Sequence, residues 1–139
     1  MVAKVNSLGL MGLEAFLVTI EADLASGLPS FDVVGLPDTS VKESRNRVKS
    51  ALKNCEFEFP TSKITINLAP ADVKKEGSIY DLPILVALLI SSGQLDANLE
   101  NAAFVGEISL SGDLCAVKGV LPMALKAKEL GITKLFVPA

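Results

Sequence analysis

The sequence predicts an α+β fold built on a mixed sheet with three helices, and three observations carry that reading. Segments with strict two-residue alternation of apolar and polar side chains stand beside segments with a helical repeat of apolar residues. The two kinds follow one another in the order β-β-β-α-β-α-β-β-α-β, which is neither the regular alternation of a parallel α/β sheet nor an all-β array. Half of the residues are hydrophobic and 21% are charged, the balance of a chain that buries a core. No repeat, low-complexity segment or linker divides the 139 residues, so a single domain over 1–139 is expected.

Residues 2–8 and 13–23 form a strand meander, because Phe16, Val18, Ile20 and Ala22 share one face of the second strand while Thr19, Glu21 and Asp23 share the other. Ser26-Gly27-Leu28-Pro29 breaks the pattern, and a third strand covers 31–34 before Gly35-Leu36-Pro37. Asp38 or Thr39 then caps a helix within 38–54, with Ser40 and Glu43 at capping-box spacing. Lys63, Thr65 and Asn67 alternate with Ile64, Ile66 and Leu68 in a half-buried strand, followed by a polar loop over 69–78.

The helix over 79–92 is apolar on nearly every side, through Leu82, Leu85, Val86, Leu89 and Ile90, which predicts a central buried helix ended by Gly93. Asp81 is expected as an N-cap, and Pro83 fits the first turn. Residues 104–110 form a strand that turns at Ser111-Gly112-Asp113 and returns over 114–117 as a hairpin. Val120, Ala124, Ala127 and Leu130 mark one face of a third helix, Gly131 stands at its C-terminal cap, and a strand closes the chain over 134–137.

Thirteen basic and sixteen acidic residues give a net charge of −3, so the whole-chain balance favours neither nucleic acid nor an acidic membrane surface. The distribution differs: residues 38–54 carry a local balance of +3, leaving −6 for the remainder. Lys42, Arg45, Lys49 and Lys53 fall on one helix face while Val41, Val48 and Leu52 turn inward. Such a face can neutralise backbone phosphates without reading sequence, although no aromatic residue is interleaved to stack bases. Its competing reading is a solvated helix surface.

Cys55 and Cys115 lie far apart in a chain without histidine, which points to reduced, partly buried thiols rather than a zinc site or a disulfide framework. The longest apolar run, 82–90, is too short to cross a bilayer and the N-terminus lacks a signal-peptide pattern. A cytoplasmic protein with no membrane partner is expected. Lys74 and Lys75 read as a solvated turn before the buried helix, with Gly77 supplying an unusual backbone angle. The apolar stretches 8–13 and 28–37 could be assembly surfaces or buried strand ends.

The C-terminal phrases GEISLSGD and LGITKLFVP resemble the closing segment of Lon-type peptidase domains, which carry a catalytic Lys in a G-G-x-K-x-K helix start. In this sequence that lysine position falls on Leu121, and the two glycines fall on Lys118 and Gly119. The Lon-type nucleophile lies in a K-D-G-P-S-A-G phrase, similar to 75–81 here, and ungapped spacing puts it at Ile79. Ser78 is one residue off, a rotation of about 100° on a helix, and has no lysine delivered to it, so a helix N-cap role is the alternative. No catalytic residue is therefore assigned, and residual peptidase chemistry is the weakest functional reading. The resemblance implies the ribosomal protein S five domain-two-like fold of Lon proteolytic domains, including one left-handed βαβ crossover against the usual preference. It also implies that Lys74, Lys75, Gly77 and Ser78 border a vestigial cleft.

The phrases SGLPSFDVVGLPDTSVKESRNRVKSALKN and FEFPTSKITINLAPADVKKEGSIYDLPI resemble, with the rest of the chain, the N-terminal domain of the ComM/YifB family of magnesium-chelatase-like AAA+ proteins. That resemblance implies a silent Lon-like domain followed by a AAA+ ATPase, hexameric assembly, and DNA helicase or branch-migration activity in natural transformation. The chain contains no G-x-x-x-x-G-K-[ST], so ATP and Mg are expected only in a downstream module and no cofactor or metal is assigned here. Without that loop the fragment is expected not to be an enzyme. DNA and copies of itself are the expected partners, with a ring-assembly module free of nucleic-acid contact as the alternative. Porphyrin metallation finds no support in a chain without histidine or a carboxylate cluster at coordinating spacing.

Overall fold

A computed structural model describes residues 2–139. Strands β1 (Val2–Met11) and β2 (Glu14–Ala25) pair antiparallel, with Val5 opposite Ile20 and Ser7 opposite Val18. The alternation seen in the sequence is the reason: Val18, Ile20 and Ala22 are fully buried on one face, while Lys4 and Glu21 meet on the other as a cross-strand ion pair at 3.9 Å. Strand β3 (Ser30–Val34) runs parallel to β4 (Lys63–Ala69), and β4 pairs antiparallel with β2. On the far side, β1 pairs parallel with β5 (Ala102–Phe104), which pairs parallel with β8 (Lys134–Phe136). The result is a six-stranded mixed sheet in the order β3-β4-β2-β1-β5-β8.

Helices α1 (Thr39–Lys42) and α2 (Ser44–Asn54) connect β3 to β4, α3 (Asp81–Ser91) follows β4, and α4 (Val120–Glu129) precedes β8. The larger core joins α2 and α3 to one sheet face through Val48, Leu52, Ile64, Ile66, Ile84 and Leu88. A smaller core forms where Met123 and Ala127 of α4 meet Leu8 and Val105. Of the apolar residues that predict a buried α3, Val86 and Leu89 are buried and Leu82, Leu85 and Ile90 are half-buried against the larger core.

Three local expectations are corrected. The basic helix is interrupted at Glu43 and shows no Ser40–Glu43 box, although Asp38 caps it as expected, accepting a 2.8 Å bond from the Val41 amide. Asp81 is not the N-cap of α3. That residue is Tyr80, while Asp81 is buried in the first turn and paired with Arg47. The strand expected over 104–110 divides, because the Val105 amide donates to the Phe136 carbonyl and the Gly106 amide to the Ile79 carbonyl, which pulls the chain off the sheet. Only β6 (Glu107–Ile108) and β7 (Leu114–Cys115) remain as the hairpin.

Gly35 ends β3 at φ 104°, and a Cβ there would strike the carbonyl group of Leu68 on β4. A side chain at this position meets both an unfavourable backbone region and a backbone wall. Gly35→Ala is expected to lower unfolding stability by at least about 2 kcal/mol. Urea denaturation checks this, and a loss below about 0.5 kcal/mol would contradict the close approach.

Candidate nucleic-acid interface

The α1–α2 segment presents its basic residues because its apolar ones are taken by the core. Val41, Val48 and Leu52 are buried, and Lys42, Arg45, Lys49 and Lys53 are all exposed. None of the four forms an ion pair among the described residues. Arg47 behaves differently. Its Nε donates to Asp81 Oδ2 at 2.6 Å and its Nη2 to Asp81 Oδ1 at 3.0 Å, with a further bond to the Ser40 carbonyl at 2.7 Å. The hydrogen bonds to Asp81 raise the Arg47 pKa and keep the guanidinium charged.

Tertiary structure adds what the linear pattern lacks. Phe31 from β3 and Phe59 from the α2–β4 connection stack with centroids 6.1 Å apart, beside Arg45 and Lys49. The Lys49 ammonium lies 5.7 Å from the centre of the Phe59 ring. The absence of interleaved aromatics in the sequence is thus corrected by folding: the phenyl rings arrive from outside the helix. The FEFP phrase soon after Lys53 is the signal that points to Phe59, whereas Phe31 precedes the helix in β3.

The loop before α3 is organised around Lys75, which is buried rather than solvated. Its Nζ donates to the Gly35 carbonyl at 2.7 Å and to the Pro70 carbonyl, while its backbone bridges Pro37 through bonds with Leu36 and Asp38. Two carbonyl acceptors make burial of the ammonium tolerable, and that possibility is invisible in a Lys-Lys dipeptide. Lys74 remains exposed and pairs with Glu76 at 3.6 Å. Gly77 adopts φ 86°, and its amide donates to Asp38 Oδ2 at 3.0 Å.

A groove of about 590 Å³ opens beside this loop, lined in part by Asp38, Glu76, Gly77, Ser78, Ile79 and Lys118. Gly77 and Ser78 thus face it, whereas Lys74 and Lys75 do not line it. The Ser78 hydroxyl caps no helix; it donates to Glu107 Oε1 at 2.5 Å. Ile79 packs against both cores, and Leu121 is 70% exposed. Cys55 is exposed and Cys115 half-buried, both free, so the expectation of partly buried thiols holds only for Cys115.

Comparison with known proteins places this geometry. The family described as ChlI, subunit ChlI of Mg-chelatase, matches residues 20–139. The chain belongs to that family. It is 50% identical over 128 residues to competence protein ComM of Haemophilus influenzae, covering 91% of this chain and 25% of that protein. It is 52% identical over 130 residues to the uncharacterized protein YifB of Salmonella typhimurium, covering 93% of this chain and 26% of that one. A Lon protease of Methanosarcina barkeri is 34% identical over 103 residues, 71% of this chain and 12% of the protease. The chain is a ComM/YifB-family domain of Lon-like α+β fold, and it spans about a quarter of the length of ComM and YifB.

The N-termini of α3 and α4 do not fit the phosphates of ATP. The N-terminus of α3 carries buried Asp81, an acid where a phosphate would sit, and α4 follows Gly119 with Val120 and Leu121 rather than Lys and Ser or Thr. No group of three or more acidic, cysteine or histidine side chains is placed to hold a metal ion among the described residues. No helix among them is long and apolar enough to cross a membrane.

Burial lowers the Lys75 pKa from the ordinary 10.5. Between the lowered value and 10.5 the unfolded chain binds more protons at this site than the folded one, so stability rises as pH climbs through that window. Lys75→Met removes the donor to two carbonyls and is expected to cost about 2 kcal/mol at neutral pH. The stability difference between wild type and variant, read by urea unfolding, should widen as pH rises toward 10.5. A narrowing difference would contradict this account.

Proposed function

We propose that this chain is the non-catalytic, Lon-like N-terminal domain of a ComM-type magnesium-chelatase-like AAA+ protein, and that it gives the motor a DNA-contacting face. The carrying observation is the set of four exposed basic side chains, Lys42, Arg45, Lys49 and Lys53, without acidic partners among the described residues. In a chain with net charge −3, such a local excess attracts phosphate backbone while the remaining surface repels it. The contacts are to phosphates, so they position a strand without selecting its sequence.

In this reading the whole protein is a cytoplasmic hexameric ring, and a AAA+ module outside this chain binds ATP and Mg to drive a helicase or branch-migration reaction. A role in natural transformation rests on the likeness to a protein called competence protein ComM. The 1–139 segment is one domain of that protein and has no peptidase activity, since the Lon-type dyad positions carry Ile79 and Leu121.

A second reading, ring assembly without DNA contact, draws on a different surface. Leu13 at the β1–β2 turn is 91% exposed and shares a shallow surface groove with Leu125 of α4, which is 62% exposed. Pairing of this patch with a second copy would cover it.

Fluorescence anisotropy of labelled single-stranded and forked DNA separates the two. The DNA reading predicts binding whose dependence on log salt becomes shallower by about 3 when Lys42, Arg45, Lys49 and Lys53 are all changed to Ala. Absence of binding by the unaltered chain at low salt would overturn it and leave assembly as the supported role.

A further inference from the structure

We propose that the pocket between β3 and α2 receives one unpaired base of a single strand, with the adjoining phosphate held by Arg45 and Lys49. This rests on the DNA-contacting reading and specifies what that face recognises. The pocket measures about 170 Å³ and is lined by Ser30, Phe31, Arg45, Lys49, Phe59 and Ser62, among others. A cavity of about 150 Å³ accepts benzene, so this one admits a single six-membered ring and excludes a stacked base pair.

Three features converge on a base joined to a phosphate. Phe31 and Phe59 supply an apolar, aromatic wall, which accepts any base because every base has a π face. Arg45 and Lys49 stand at the same pocket with no acidic partner among the described residues. Ser30 is one of the lining residues, and its hydroxyl is buried beneath the pocket surface without a hydrogen-bond partner. Rotation of that hydroxyl toward the pocket would give it a partner in a bound base, whose edge offers donors and acceptors. Lys49 rests on the Phe59 ring; an arriving phosphate draws its ammonium away and frees the ring face for the base.

The test compares a short thymidine oligonucleotide with a duplex of equal length, using the wild-type chain, Phe59→Leu and Ser30→Ala. Leucine keeps an apolar, somewhat smaller side chain and removes the π face, and Ser30→Ala removes only the orphan hydroxyl, so both variants should fold; thermal melts monitor this. Phe59→Leu should weaken single-strand binding about tenfold, Ser30→Ala should weaken it several-fold, and neither should change duplex binding. Single-strand affinity unchanged in both variants, with salt-dependent binding retained, would overturn the pocket while sparing the DNA reading. No binding of either DNA by the wild type would defeat both. Free thymidine monophosphate competing as well as the oligonucleotide would overturn assignment to a strand.

Discussion

The ion pair between half-buried Arg47 and buried Asp81 is the constraint on which the arrangement of this domain depends. Asp81 sits at the start of the central helix with its side chain 1% exposed, and its carboxylate accepts two bonds from Arg47 and a third, at 3.1 Å, from the Ile108 amide. One acid thereby links α2, α3 and the β6–β7 hairpin. A carboxylate buried this deeply is costly unless it is fully bonded, so the three elements are held to the geometry that satisfies it.

The pair acts with the buried apolar face of α2 in setting which basic residues reach solvent. With Arg47 turned onto α3 beside Val48 and Leu52, the rotation of α2 is set, and Arg45, Lys49 and Lys53 point away from the core. The same rotation brings Arg45 and Lys49 to the phenyl rings contributed by β3 and by the connection into β4. Lys75 plays a comparable part after β4, where its buried ammonium ties the Gly35 and Pro70 carbonyls together and fixes the loop leading to Ser78. A half-buried arginine and a buried lysine therefore shape the basic face and the loop before α3.

Much of the fold was legible because its signals are local. Ile64, Ile66 and Leu68 alternate with polar neighbours and are all fully buried, and the apolar residues around α3 are buried or half-buried against the core. The features missed are those that depend on distant partners. Nothing near Asp81 in sequence announces Arg47, 34 positions earlier, so a capping role was the natural reading of an acid at a helix start. Lys75 looked solvated because its acceptors are backbone carbonyls supplied by other segments. The phenyl rings beside the basic helix likewise come from outside it. Of the expected contact residues, the alternation of basic and apolar positions identified the exposed set, whereas their convergence with Phe31 and Phe59 required the tertiary structure.

A double-mutant cycle on Arg47→Met and Asp81→Leu, measured by urea unfolding, tests the organising role of the pair most directly. The account predicts that each single change is strongly destabilising, because it strands the other charge, and that the double change recovers about 3 kcal/mol relative to additivity. Additive effects within about 0.5 kcal/mol would contradict it and would assign the orientation of α2 to apolar packing alone.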